Sequence, residues 1–161
     1  MTKVDQSLII ESGSPAQTRR LGARLGRLLR PGDIVLLSGE LGSGKTCLVQ
    51  GIARGLEVTA PVTSKSFVLL GEYEGRLRLY HADLYRLEEP AQAEELALTE
   101  YSAPGALVVE WAERAWEVFP PERLLVRLKI AGASQREFTF EGRGARYREL
   151  ADALAKGRRR P

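Results

Sequence analysis

A chain of 161 residues with 43% hydrophobic and 28% charged content can bury one ordinary core, and its composition gives no reason for a second domain. A single cysteine, Cys47, excludes an internal disulfide and fits a reducing cytoplasm, while the lack of any apolar run near the roughly 20 residues of a membrane helix excludes a membrane segment, and "MTKVDQSLII" lacks a signal-peptide pattern. The net charge of +3 does not make the chain a nucleic-acid binder, because subtracting the four cations Lys156, Arg158, Arg159 and Arg160 of the terminal "KGRRRP" leaves −1 for everything else.

In chain order, "SLIIE" predicts a first strand. Ser14-Pro15-Ala16-Gln17 then predicts a helix start, with Ser14 as N-cap, Pro15 in the first turn and Gln17 at the capping-box position. Leu21, Leu25, Leu28 and Leu29 form its apolar stripe, and "RPGD" ends it. "DIVLLS" has the length and continuous apolarity of a buried parallel strand. Next comes "GELGSGKT". Downstream, Leu48, Ile52 and Leu56 recur four apart on one helical face, with Gly55 near the end and Cys47 read as a packed small residue.

The spacing Gly39-x4-Gly44-Lys45-Thr46, between that strand and that helix, is that of a phosphate-binding loop. Backbone N–H groups of residues 40 to 45 can wrap a β-phosphate only where no Cβ blocks the concave side, and the new helix adds the positive end of its dipole. Lys45 is the residue to reach the β- and γ-phosphates, and the Thr46 hydroxyl the one to join a Mg²⁺ shell.

"VTSKSFVLLGEY", a Glu74-Gly75 hairpin signal and "RLRLYHADLYRL" predict an antiparallel pair. "PAQAEELALTEY" predicts a short helix, "GALVVEWAE" a buried strand, "RLLVRLKI" with "REFTFE" a second antiparallel pair, and "ARYRELADALAK" a closing amphipathic helix. Two acids stand out. Glu110 ends an apolar run at the position of a strand-end carboxylate beside the phosphate loop, where ligands of open α/β sheets collect. Asp83 shares one strand face with His81 and Tyr85 under a period of two, opposite Tyr80, Ala82 and Leu84. His81 itself reads as a hydrogen-bonded structural histidine.

"GELGSGKT", "TSKSF" followed by Tyr73, "HADLYRL" and "VVEWAE" together resemble, in order and spacing, the bacterial TsaE (YjeE) family, from about residue 8 to residue 140. That resemblance implies a small ATPase needed for threonylcarbamoyladenosine in tRNA, working with TsaB and with TsaD, the subunit that transfers the threonylcarbamoyl group. It implies ATP phosphates on Gly39, Glu40, Leu41, Gly42, Ser43, Gly44, Lys45 and Thr46, and Mg²⁺ on Thr46 and Glu110. Asp83 and Glu110 are then candidates for catalysis, and Arg136 in "SQREF" for a further nucleotide contact. "SKSF" departs from the family's Ser-Pro-Thr-Phe/Tyr: Ser66 keeps a hydroxyl and is the third catalytic candidate, whereas Lys65 lacks the fixed angle of proline.

The expectation is one α/β domain over residues 1–155, a P-loop NTPase-like three-layer fold with a mixed parallel/antiparallel sheet, and a basic tail over 156–161. The tail reads either as a solvated end or as a contact to tRNA phosphates. Adenine is the expected base, since guanine-specific relatives use Asn-Lys-x-Asp and this chain has no asparagine. A small-molecule kinase and a non-hydrolysing nucleotide-gated binding module are the alternative functions. With the proline gone, residues 63 to 67 are expected to need a partner to order them, so the isolated protein should turn over slowly.

Overall fold

The computed structural model describes residues 7–62 and 70–157, so Lys65 and Ser66 lie outside the described residues. Strand β1 (Leu8–Ser12) leads into helix α1 (Pro15–Leu28) through an extended Ser14, whose Oγ accepts from Gln17 N at 3.1 Å. Gln17 Oε1 reciprocates on Gly13 N at 2.6 Å, one residue ahead of the capping-box position. Helix α1 buries Leu21 and Leu25, stops before the Pro31-Gly32 turn, and gives way to β2 (Ile34–Ser38). After the glycine loop come α2 (Lys45–Gly55), β3 (Leu70–Tyr73), β4 (Leu79–Asp83), α3 (Pro90–Glu95), α4 (Leu98–Tyr101) and β5 (Ala106–Glu110). Two 3₁₀ turns (Ala112–Arg114, Trp116–Val118) precede β6 (Arg123–Ile130), β7 (Arg136–Arg143) and α5 (Ala145–Gly157).

Among the described residues the sheet has seven strands in the order β1-β7-β6-β2-β5-β4-β3. Strands β6, β2, β5 and β4 run parallel to one another, and β3, β7 and β1 add antiparallel edges. Continuous apolar runs occupy the centre because both faces are covered. Val35 and Leu37 of β2 face α1, α2 and α5, whereas Ile34 and Leu36 face α3, α4 and the 3₁₀ turns. The expected mixed three-layer α/β fold is therefore what forms. Parallel pairing brings the strand ends Asp83, Glu110 and Ser38 to one edge, with Asp83 opposite Glu110 and Glu110 opposite Leu37.

Helix α2 is held in place by close backbone contact with α1. A Cβ on Gly51 would lie 2.2 Å from the Arg19 carbonyl, and one on Gly55 2.2 Å from that of Ala23. Gly22 and Gly26 face Leu48 and Ile52 just as tightly. Gly55 is thus a packing residue; the left-handed backbone after the helix falls at Glu57, with φ 61°. At the start of β2, Asp33 is buried and takes Arg146 of α5 bidentately, at 3.0 Å from Nε and 2.6 Å from Nη2. Hydrogen bonding to Asp33 raises the Arg146 pKa further above its ordinary value. Tyr147 Oη accepts from Ile34 N at 3.0 Å, so α5 fixes the approach to the loop strand.

Three local features differ from expectation. The single helix over "PAQAEELALTEY" breaks into α3 and α4 at Ala97, which takes φ 46°. The break buries Leu98 and sets Tyr101 edge-on to Tyr80 at 5.5 Å, so packing overrides a locally favourable helix. The connection after β3 is a five-residue loop, Tyr73 pairing with Leu79, rather than a two-residue turn at Glu74-Gly75. Gly75 is needed there because a Cβ would meet the Leu56 carbonyl at 2.2 Å. Lys156 and Gly157, assigned to the tail on composition, are the last residues of α5.

Candidate nucleotide-phosphate site

The glycines of the loop answer different demands. Gly39 has no room for a side chain: a Cβ would lie 2.6 Å from the Leu128 carbonyl of β6 and 2.7 Å from Ser43 Oγ. Gly42 and Gly44 instead take φ of 83° and 102°, left-handed backbone that other residues adopt only at a cost. Gly44 is the N-cap of α2 and has no side chain to cap it, so the first amides of that helix keep their donors for a ligand. Leu41 at the loop tip is 76% exposed.

Lys45 is not the solvated lysine that the sequence suggests. Its Nζ donates to the Gly39 carbonyl, to the Glu40 carbonyl at 3.0 Å and to Ser43 Oγ at 3.4 Å, and the Trp111 ring lies over it at 3.9 Å. All three ammonium donors are thereby engaged, with a π face on the remaining side. Burial pushes the Lys45 pKa below the ordinary lysine value, opposed by the carboxylates of Glu113, Glu110, Asp83 and Glu40. Trp111 reaches this position from a left-handed backbone, φ 58°, and its ring packs against Tyr85 with centroids 4.9 Å apart. Glu113 accepts from Ser38 Oγ at 2.9 Å and Gly39 N at 3.3 Å, tying the first 3₁₀ turn to the start of the loop. Its other oxygen, Oε1, is buried with no hydrogen-bond partner among the described residues.

Glu110 is 2% exposed and joins loop to strand end. Thr46 Oγ1 donates to Glu110 Oε1 at 3.4 Å, and His81 Nε2 lies 2.6 Å from Oε2. His81 therefore orients the carboxylate that faces the loop hydroxyl, a use of the hydrogen-bonded histidine that the sequence left unspecified. Asp83 stands beside Glu110 on β4, on the cavity wall, and its Oδ1 accepts from Tyr85 N at 3.0 Å. Tyr80, Ala82 and Leu84 fill the opposite core, as a period of two requires. Tyr85 lies beyond the strand and is 45% exposed.

Lys45, Thr46, Asp83, Tyr85, Glu110 and Trp111 line one cavity of about 950 Å³, whereas His81 and Glu113 do not reach its wall. It runs from Ser14 and Thr18 at the start of α1, past Lys45, Thr46 and Cys47, to Asp83, Arg86 and Trp111. Arg136 joins its wall and donates from Nε to the Gly42 carbonyl at 3.2 Å, so this arginine meets the loop. Arg114 lies over the Tyr85 and Trp111 rings, at 5.7 Å and 5.9 Å. Ser66 falls outside the described residues. Reading residue by residue missed Trp111 and Glu113, although both stand in the quoted "VVEWAE"; only the folded 3₁₀ turn points them at Lys45 and Gly39.

Comparison with known proteins gives the family of the chain. Residues 12–138 match the family model described as "Threonylcarbamoyl adenosine biosynthesis protein TsaE". The chain is 40% identical over 145 residues to the "tRNA threonylcarbamoyladenosine biosynthesis protein TsaE" of Bacillus subtilis, covering 89% of this chain and 90% of that one. A protein of the same description from Treponema pallidum is 40% identical over 129 residues, covering 80% and 96%. The crystal structure of Bacillus subtilis YdiB superimposes with a TM-score of 0.83 at 34% identity, over 98% of this chain and 99% of that one. With its glycine loop, strand-end acids and seven-stranded sheet, the chain belongs to the TsaE family of threonylcarbamoyladenosine biosynthesis proteins.

Proposed function

We propose that the chain is a Mg²⁺-dependent ATP hydrolase that serves threonylcarbamoyladenosine modification of tRNA in the cytoplasm, in association with a TsaB–TsaD transfer complex. The contact between Thr46 of the glycine loop and the buried strand-end carboxylate of Glu110 carries this reading. The relatives' names, which contain tRNA threonylcarbamoyladenosine biosynthesis, support its biological half. No helix among the described residues is long and apolar enough to cross a membrane.

In this mechanism the amides of residues 40 to 45 and the N-terminal end of α2 hold the β-phosphate, and Lys45 exchanges loop carbonyls for β- and γ-phosphate oxygens. Thr46 and Glu110 offer hard oxygens of the kind Mg²⁺ takes alongside phosphates and water, and no group of three His, Cys, Asp or Glu side chains that could cage a metal occurs among the described residues. When bound, Mg²⁺ neutralises charge building on the phosphate oxygens. His81 keeps the Glu110 carboxylate aligned. Asp83 accepts a hydrogen bond and then the proton from the attacking water, as the oxygen–phosphorus bond forms and the bond to the β–γ bridging oxygen breaks. Arg136 closes the loop from the β7 side, and Ser66 is the further hydroxyl we assign to the γ-phosphate end.

Glu110→Ala should leave the ATP dissociation constant within about threefold of wild type, because Lys45 and the amides remain. It should cut kcat by about 100-fold, or about 2.7 kcal/mol, because metal positioning acts mainly in the transition state. Asp83→Ala should show the same split. Calorimetric ATP titration and single-turnover phosphate release check both; two variants with wild-type kcat would reduce these acids to strand-end solvation. The function itself is tested by steady-state phosphate release from this protein alone and with purified TsaB–TsaD. Slow turnover accelerated by the pair is expected. Rapid turnover unaffected by it would sink the partner reading, and transfer of the γ-phosphate to a metabolite would install the kinase.

A further inference from the structure

Lys156, the last cation of α5, stands beside a basic helical face. Helices α1 and α2 contain no acidic residue, and Arg20, Arg24 and Arg27 stand at i, i+4 and i+7 on α1, on one side of the helix. Arg20 and Arg27 are exposed, as is Arg54 of α2, whose neighbour Gly55 packs on the backbone of Ala23 and Arg27. None of Arg20, Arg27 and Arg54 has an ion pair among the described residues. Arg76 joins them at the C-terminal end of α1 by donating to the Gly26 carbonyl at 2.6 Å. Arg24 donates from Nη2 to the Leu154 carbonyl of α5, and Gly157 lies against the same guanidinium, so exposed Lys156 ends its helix beside this face. Arg158, Arg159 and Arg160 follow in sequence. Glu57 and Asp152 are exposed acids on the neighbouring segments, and Arg30 is outside the set because Glu149 takes it at 3.4 Å.

We propose that the outer face of α1, with Arg54, Arg76 and the end of α5, is a binding surface for the phosphate backbone of structured RNA. The sequence-distant cations are nearly all arginine, whose planar fork suits phosphate oxygens, and no carboxylate is interleaved in the two helices, unlike the mixed-sign rim of a typical protein interface. Cations four residues apart on a helix rise about 6 Å, a spacing that lets them meet successive phosphates. Arg20, Arg24, Arg27, Arg54 and Arg76 take no part in the cavity wall, so RNA contact through them does not use the residues of the nucleotide site. The choice of RNA rests on the proposed service to tRNA modification.

The test is fluorescence anisotropy of the full chain with unmodified transcribed tRNA between about 50 and 200 mM KCl, for wild type and for the triple variant Arg20→Gln, Arg27→Gln, Arg54→Gln. The variant should bind about 10- to 100-fold more weakly at the lower salt, and its log K against log salt slope should be shallower by about two to three. Its ATP affinity and its phosphate release with TsaB–TsaD in the absence of tRNA should match wild type, and its melting temperature should be unchanged. Equal affinity and slope in the variant would overturn the proposal, as would wild-type binding to anionic phospholipid vesicles without binding to tRNA. A variant that keeps its tRNA affinity but loses TsaB–TsaD stimulation would assign the face to a protein instead. A wild type that binds tRNA through these arginines yet hydrolyses no ATP with partners would defeat the ATPase reading and leave the RNA surface standing.

Discussion

Lys45→Ala is expected to abolish measurable ATP turnover, with kcat/KM at least about 1,000-fold below wild type, which corresponds to about 4 kcal/mol of lost transition-state stabilisation. Lys45 is the cation that the loop geometry places beside the amides proposed to hold phosphate, and its three donors are already oriented by the carbonyls of Gly39 and Glu40 and by Ser43 Oγ. Alanine leaves nothing at that point to meet charge developing on the γ-phosphate. Stability should change by less than about 2 kcal/mol, because removing a desolvated ammonium offsets the loss of its hydrogen bonds. Thermal melting, ATP calorimetry and phosphate release with TsaB–TsaD on the same preparation separate these effects. A folded variant with wild-type affinity and turnover would remove the phosphate-loop assignment.

Arg146→Met is expected to lower folding stability by about 3–5 kcal/mol, because it leaves the Asp33 carboxylate buried without its counter-ion. The Arg30 amide still donates to Asp33 at 2.8 Å, but one neutral donor does not replace a bidentate guanidinium. The double variant Asp33→Leu, Arg146→Met should recover most of the loss, since an apolar pair of similar bulk needs no desolvated charge. Urea unfolding of the four proteins in a double-mutant cycle gives the coupling energy. A loss under 1 kcal/mol in the single variant would mean that α5 is held by Tyr147, Leu150 and Leu154 packing alone.

How far the site could be read in advance depended on how local each signal was. The glycine loop was legible because its demands are short-range: φ of 83° and 102° at Gly42 and Gly44, a lysine and a hydroxyl at fixed offsets. The alternation along "LYHADL" placed His81 and Asp83 correctly because a strand has only two faces. The partner of His81 was not legible, since Glu110 lies 29 residues away and meets it only through the parallel pairing of β4 and β5. The helix over "PAQAEELALTEY" misled because local propensity favours continuity, while burial of Leu98 and the Tyr80–Tyr101 contact favours the break at Ala97.

Local signals along the chain therefore account for most strands and helices and for the backbone of the glycine loop. Periodicity, capping at Ser14 and glycine spacing act over a few residues, and they survive whatever surrounds them. Which distant groups become neighbours depends on the packed fold. It turned Gly22, Gly26, Gly51 and Gly55 from weak helix formers into the contact that seats the loop helix, because two backbones meet there with no room for a Cβ. It buried Lys45 beneath Trp111, where a linear reading left it in water, because the 3₁₀ turn after β5 folds back over the loop. It also brought the end of α5 beside the arginines of α1, because α5 packs against α1 in the layer that covers one face of the sheet.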